Sequence, residues 1–486
     1  VTARITLLDE ARIGLRSLID RVEDLAAPTL RLGVTGLSRA GKTVFTTALI
    51  HALIRGGRLP VFEAANAGRI ASAELKPQPD DAVPRFSYED HLAQIVEARR
   101  WPASTTRISE LRLVIRYAPP RGGLRTLTLD LVDYPGEWLL DLPLLDMSFA
   151  DFSRTSLALA RDPARAILAA PFLAALAASQ PSGPENETTA RTLAAAFTQY
   201  LAACRGERVA MSLLPPGRFL MPGDLEGSPA LTFAPLDLPG DAKPAAGSLA
   251  AMMERRFEAY KSAVVRPFFR DHFARLDRQI VLVDALSALN AGPAALADLE
   301  RALDSILAAF RLGRNSLVST LFRPRIERVL FAATKADHLH HTSHDRLEAI
   351  LQRLVERALG RAKAEGALFD VAALSAVRAT REASVTRGGQ VLPAIVGTPE
   401  AGQEVAGHVF DGNEEVGVFP GDLPLVPDGL FEPGGGGFRG LASADGRDAD
   451  FRFVRFRPPP GIGAGAPLPH IRLDRALQFL LGDRLA

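Results

Sequence analysis

The residues with the clearest chemistry are Gly36-Leu37-Ser38-Arg39-Ala40-Gly41-Lys42-Thr43, which fit the pattern G-x-x-x-x-G-K-[ST]. Gly36 and Gly41 let the backbone curl so that successive N–H groups face an anion. A helix starting at the end of the loop points its positive pole at the same place. Lys42 would bridge the β- and γ-phosphates of a nucleoside triphosphate, and Thr43 would offer its hydroxyl to Mg²⁺. Gly36, Ser38, Arg39, Ala40, Gly41, Lys42, Thr43 and Val44 are therefore the expected phosphate cradle.

Three shorter sets follow along the chain. Asp133 closes an apolar run and precedes Gly136, a D-x-x-G spacing; the carboxylate would hold Mg²⁺ through water, and the Gly136 N–H would reach the γ-phosphate. Thr334-Lys335-Ala336-Asp337 closes a second run, and Ser375-Ala376, with Val377 beside it, closes a third. Asp337 can accept two hydrogen bonds, which suits guanine N1–H and its 2-amino group and repels the lone pair adenine presents there. Lys335 would lay its alkyl stem on the ring, and the Ala376 N–H would meet O6. Thr, Asp and Ser are also ordinary cap and turn residues, so their order at successive strand ends carries more weight than any one set.

The elements that must position these groups are legible as patterns. Leu30 to Thr35 reads as a strand and Val44 to Ile54 as the helix after the loop. Leu111–Tyr117 and Leu124–Val132 alternate and are joined by a short turn at 121–123, which predicts an antiparallel hairpin. Residues 55–103, broken by prolines, show no clear strand; Tyr88 to Arg100 reads as a helix. Gln279–Val283, Arg328–Ala333 and Asp370–Leu374 read as buried parallel strands, with helices over Ala294–Phe310 and Leu347–Ala364. Ser248–Leu276 reads as one long helix kinked at Pro267. The expected fold is α/β: a P-loop NTPase core of GTPase type with a mainly parallel sheet, a large helical insertion and a small β-rich C-terminal part. The expected divisions are an amphipathic N-terminal helix (1–29), core (30–137), insertion (138–276), core (277–380), β-rich appendage (381–468) with turn-rich Pro433–Gly437, and a closing helix (469–486).

Composition narrows the class. With 486 residues, 47% hydrophobic and 23% charged, the chain can bury sizeable cores. Its 57 basic and 56 acidic residues give a net charge of +1, so no nucleic-acid partner is expected. The lone Cys204 excludes an internal disulfide and fits a reducing compartment. The longest apolar run, 166–178, contains Pro171 and is too short for a bilayer. The expectation is a cytoplasmic protein; the amphipathic 5–25 helix leaves a peripheral membrane contact open, and its mixed-sign charges weigh against one.

The four sets together resemble the GTPase branch of the P-loop fold. More closely, GLSRAGKT, WPASTTRISELRL, LDLVDYPGEWLLDLPLL, RQIVLVDALSALNAG, ATKADH, FPGDLP and PHIRLDRALQFLLGD resemble the YcjX family of bacterial GTP-binding proteins, a group linked to stress responses. The resemblance implies GTP/GDP and Mg²⁺ as ligands, slow hydrolysis, and a switch reporting through the insertion or the β-rich part to an unknown protein effector. A metabolite kinase and a nucleotide-stabilised scaffold with negligible turnover stand as alternatives. Where many GTPases place a water-orienting Gln after D-x-x-G, this chain has Glu137, readable as a catalytic base or as a structural ion-pair residue. Arg39 reads as an internal arginine finger or as a solvent-facing or base-covering side chain. The switch threonine that closes on Mg²⁺ is expected at Thr105 or Thr106, with Thr106 the first choice and grouped with Lys42 and Glu137 as catalytic. His338, His340, His341 and His344 crowd together; His340 and His344 have metal-gripping i, i+4 spacing, but no third ligand is evident nearby, so a solvated cluster is expected.

Overall fold

In the computed structural model, the described residues are 28–37, 39–78, 80–206, 208–238, 243–309, 326–362, 367–387, 390–405, 407–432, 453–463 and 465–486. Ser38, the N-terminal helix expected before residue 28, and Pro433–Gly437 lie outside them. Two compact units divide the described residues: Pro135–Arg275 make up most of one, and 28–134, Leu276–Glu300 and 326–486 make up the other.

The second unit is a mixed α/β body. Its seven-stranded sheet is built from β1 (Thr29–Gly36), β2 (Ile70–Lys76), β3 (Ser109–Tyr117), β4 (Arg125–Asp133), β5 (Arg278–Val283), β6 (Arg328–Ala333) and β7 (Leu368–Ala373), in the order β2-β3-β4-β1-β5-β6-β7. From β4 to β7 the neighbours are parallel; β2–β3 and β3–β4 are antiparallel. β5 is buried at every residue and is apolar from Ile280 to Val283, because both faces of a central parallel strand are covered. One face packs Phe45, Leu49 and Leu53 of the helix Lys42–Arg55, and Leu473, Leu477 and Leu480 of the C-terminal helix Leu473–Leu481, into a single core with Leu32, Val34, Leu129 and Leu282.

β2 corrects the expectation of no strand between 55 and 103. It is an edge strand with Ala73 as its one fully buried residue, and it carries an exposed Lys76–Glu74 ion pair. Charged, weakly apolar edges discourage pairing with another chain, and they also erase the apolar alternation by which strands are read. Beyond the main sheet, β8 (Arg381–Arg387), β9 (Gln390–Gly397), β10 (Glu404–Val405), β11 (His408–Val409) and β12 (Val416–Val418) form a three-stranded antiparallel sheet, β12-β9-β8, and a two-stranded one, β10-β11. A small core of Ala379, Ile395, Val418, Val454 and Phe456 underlies the three-stranded sheet.

The first unit is helical. Its main helices are Phe149–Ala160, Ala166–Ala177, Glu187–Cys204 and Leu249–Tyr260. Ser148 and Asp151 close a reciprocal capping box on the first, and Asn186 caps the third. Its interior is aromatic: Phe152 stacks on Phe257 at 4.9 Å, and Phe233 meets Phe219 edge-on at 4.9 Å. The long helix expected over 248–276 is instead interrupted. A π turn, Lys261–Val265, follows Tyr260, and Pro267 opens the next helical segment, Arg266–Asp271, where its missing N–H costs little. Among the described residues, no helix is long and apolar enough to cross a membrane.

Candidate functional site

The glycine loop connects β1 to the helix Lys42–Arg55, at the C-terminal ends of the parallel strands. Two of its residues are dictated by shape. A Cβ on Gly36 would lie 2.7 Å from both Cβ and O of Leu282 on β5, so only glycine fits. Gly41 has φ 78° and caps the helix, and Arg39 also takes a left-handed φ of 62°. Ala40 N–H closes a turn onto Leu37 O at 3.1 Å. Lys42 folds back so that Nζ donates to Gly36 O at 3.0 Å, and Thr43 and Val44 begin the helix.

β4 runs parallel to β1 and sets Asp133 opposite Val34. Three oxygens converge there. Thr105 Oγ1 donates to Asp133 Oδ2 at 2.8 Å and lies 3.2 Å from Thr43 Oγ1, which also donates to Ala103 O at 3.3 Å. Burial pushes the Asp133 carboxyl up to about 6, with nearby Lys42 and the Thr105 hydroxyl pulling the other way. Its Oδ1 is buried and accepts no hydrogen bond. Two hydroxyls and a carboxylate with an unsatisfied buried oxygen form a hard-oxygen set that fits Mg²⁺. Thr106, the first choice from sequence, is exposed and outside this cluster; Thr105 is the residue that the structure brings in.

The segment ahead of Thr105 is anchored. Trp101 Nε1 donates to Phe456 O at 2.7 Å, and Arg99, with a left-handed φ of 49°, donates from Nε to Pro458 O at 3.2 Å. The half-buried Trp101 also packs on the small core beneath the three-stranded sheet. These contacts hold the chain four and six residues ahead of Thr105.

At the end of β6, Lys335 takes φ 62° and its Nζ reaches Asp284 Oδ2 at 2.5 Å. Asp284 follows β5 and also caps the next helix, accepting from Ser287 N (3.1 Å) and Ser287 Oγ (2.6 Å). Burial opposes its charge, but Lys335 and Ser287 outweigh burial and hold the carboxyl below its usual range. Sequence reading missed Asp284 as a site residue; its one signal was an acidic residue closing an apolar strand. Asp337 is buried, accepts Ala379 N–H on Oδ2 at 2.8 Å and, through its carbonyl, the Thr380 hydroxyl at 2.5 Å. Ser375 Oγ donates to Val377 O at 3.0 Å, and the Ser375 backbone pairs with Ile471 at 2.8 and 3.0 Å, fixing the stretch that carries Ala376. Thus Lys335, Asp337 and the Ser375–Val377 turn share one rim with Thr43 and Asp133.

Gly136 and Glu137 belong to the helical unit, at the start of the 3₁₀ turn Gly136–Asp146. Glu137 is buried and pairs with Arg205 at 3.0 Å. Gly217 presses on it so closely that a Cβ there would sit 2.0 Å from Glu137 O. The histidine cluster also departs from expectation. His344 is buried, with Nε2 facing Leu339 O at 3.4 Å, so it forms no pair with His340.

A mostly parallel sheet with a glycine loop, a hydroxyl–carboxylate cluster and a Lys/Asp turn along one rim defines an α/β protein of ligand-binding type. The YcjX-like family, DUF463, matches residues 30–485, and the chain belongs to that family. Among its relatives, the Ras-like GTPase YcjX of Escherichia coli (strain K12) is 38% identical over 488 residues, covering 97% of this chain and 98% of that protein. The Ras-like GTPase YcjX of Shewanella oneidensis is 35% identical over 501 residues, covering 97% of each.

Proposed function

We propose that this chain is a P-loop GTP-binding protein that hydrolyses GTP slowly and acts as a nucleotide-dependent switch; the Ras-like GTPase names of its relatives support the GTPase part of this reading. The observation that carries the reading is the convergence of Thr43, Thr105 and Asp133 beside a Lys42 that folds onto its own glycine loop. In this reading Lys42 leaves Gly36 O for the β- and γ-phosphates, and the backbone N–H groups from Gly36 to Val44 cradle them. Thr43, Thr105 and Asp133 are the residues that would hold Mg²⁺, which when bound neutralises charge on the phosphate oxygens. Thr105 is then the switch threonine: its hydroxyl, now on Asp133, would be a ligand to the ion when it is bound, in a segment tethered at 99–101. Lys335 covers one face of the guanine ring, Asp337 accepts from its N1–H and 2-amino group, and the Ala376 N–H meets O6. Arg39, with its left-handed backbone, is read as covering the nucleotide and not as a finger. A cytoplasmic setting, in keeping with the lone Cys204, and an effector contacting the insertion or the β-rich part belong to this proposal, as does a role in stress responses, which rests on family resemblance alone.

One observation favours a second reading, a nucleotide-stabilised scaffold with negligible turnover. The Glu137 carboxylate, a candidate base, is already engaged by Arg205. Affinities for GTP, GDP and ATP, with phosphate release measured beside them, separate the two. The switch reading expects guanine preference and slow release that Lys42→Ala abolishes in a well-folded protein. Tight guanine binding without release supports the scaffold, and wild-type GDP affinity in Lys42→Ala refutes the phosphate-loop assignment.

A further inference from the structure

Among the described residues, one group of three metal-ligating side chains converges, and it lies outside the glycine-loop cluster: His340, His341 and Glu382. The sequence shows the histidines but no third ligand close by. The fold supplies one from 41 positions on, at the start of β8. His341 Nδ1 is 2.8 Å and His340 Nε2 is 3.9 Å from the same Glu382 Oε2, and the three ligand atoms all lie within 4.8 Å of one another. Ligands about 2.1 Å from a tetrahedral ion sit about 3.4 Å apart, so side-chain adjustments of under about 1.5 Å close the set.

The surroundings suit a metal. His340 Nδ1 lies 3.1 Å from Thr342 Oγ1 and, more weakly, 3.5 Å from Thr342 N; in the tautomer that donates Nδ1–H to the hydroxyl, Nε2 keeps its lone pair for an ion. Arg378 lies 3.5 Å from Glu382 Oε1, which leaves Oε2 turned to the imidazoles. His341 is 62% exposed, giving an entry path and room for water as a further ligand. Two imidazoles and one carboxylate match borderline first-row cations; Mg²⁺ and Ca²⁺ want oxygen alone.

We propose that His340, His341 and Glu382 form a site for a divalent cation of the Zn²⁺ class, completed by water. The site has a structural consequence. His340 lies three residues after Asp337, and Glu382 lies three after Ala379, whose N–H bonds Asp337. A bound ion therefore fastens, from outside, the same two segments that Asp337 joins from within.

The test uses the full chain without an affinity tag and without nucleotide, so it stands or falls independently of GTP binding. Isothermal titration with Zn²⁺ should show one ion per chain, with affinity lower by on the order of tenfold or more in His341→Ala and in Glu382→Gln. His408→Ala, which removes an exposed histidine elsewhere, should bind as the wild type does. Zn²⁺ should raise the melting temperature of the wild type but not of Glu382→Gln. Co²⁺ should give ligand-field absorption bands with the wild type that are lost with Glu382→Gln. A wild type that retains no Zn²⁺, or variants that bind it unchanged, overturns the site and leaves an ordinary His341–Glu382 hydrogen bond.

Discussion

If Asp337 reads the base as proposed, Asp337→Asn should move nucleotide preference from guanine toward xanthine, and the hydrogen bonds of Asp337 give the reason. Asp337 gives Oδ2 to the Ala379 N–H at 2.8 Å, and that donor is backbone, so it cannot be relieved by a side-chain change. An asparagine must therefore turn its carbonyl oxygen to Ala379; the reverse orientation would face two donors in a buried turn. The amide N–H₂ is then left where the other carboxylate oxygen stood, toward the proposed base. Guanine presents donors there and xanthine a carbonyl oxygen. A donor facing a donor at a buried site costs about 1–3 kcal/mol, or roughly 5- to 150-fold in affinity. Competition of GDP and XDP for both proteins reads the effect directly: GDP should weaken by that factor and XDP should tighten. A mutant that keeps full GDP affinity would show that Asp337 only caps its turn, and the guanine assignment would lose its main support.

Other predictions follow from single contacts. Asp284→Asn and Lys335→Ala should each weaken GDP binding about tenfold, and the double mutant should lose no more than the worse single; full additivity would mean that Asp284 does not act through Lys335. Thr105→Ala should reduce the Mg²⁺-dependent part of GTP-analogue affinity about tenfold while Thr106→Ala leaves it unchanged, as measured by titration with and without Mg²⁺; the reverse outcome would return the switch role to Thr106. In the helical unit, burial pushes the Asp141 carboxyl up to about 6, despite hydrogen bonds from Tyr260 Oη and Gly217 N at 2.6 Å. Between about pH 4 and pH 6 the folded state thus holds a proton that the unfolded chain has lost, so the contribution of Asp141 to stability falls by about 3 kcal/mol as pH rises and is level above pH 6. Urea midpoints followed by Trp138 in a Trp101→Phe background should show this fall, and Asp141→Asn should remove it; an identical pH slope in both proteins would contradict the assignment.

What the sequence disclosed was local, and what it concealed was long-range. The glycine loop is legible because its glycines, lysine and threonine act within eight consecutive positions, and the strand before and helix after it are neighbours in the chain. Buried strands such as β5 are legible because covering on both faces demands a run of apolar residues, here Ile280–Val283. Ile70–Lys76 was not, because an edge strand with a single fully buried side chain satisfies no apolar pattern. Thr105 and Thr106 are the same residue type one step apart. The fold separates them: Thr105 Oγ1 meets Asp133 and Thr106 is exposed, in a segment tied by Trp101 to Phe456, 355 residues away. Asp284 and Glu382 escaped notice for the same reason: each acquires its partner from another strand or turn, 51 and 41 positions distant.

Whether Glu137 serves as a base in the proposed hydrolysis turns on one ion pair. A general base needs a free lone pair facing the water that it activates. Here the carboxylate is buried and paired with Arg205 at 3.0 Å, and its backbone is wedged against Gly217, where even a methyl group would not fit. Leaving that pair would take the carboxylate off a partner that is itself about four-fifths covered, and breaking a pair so placed costs several kcal/mol. If catalysis required that step, each turnover would carry the cost in its barrier, about tenfold in rate for each 1.4 kcal/mol. Arg205→Ala therefore separates the roles: faster phosphate release with the fold retained would make Glu137 a restrained base. Lower stability with release unchanged would make the pair a strut of the helical unit.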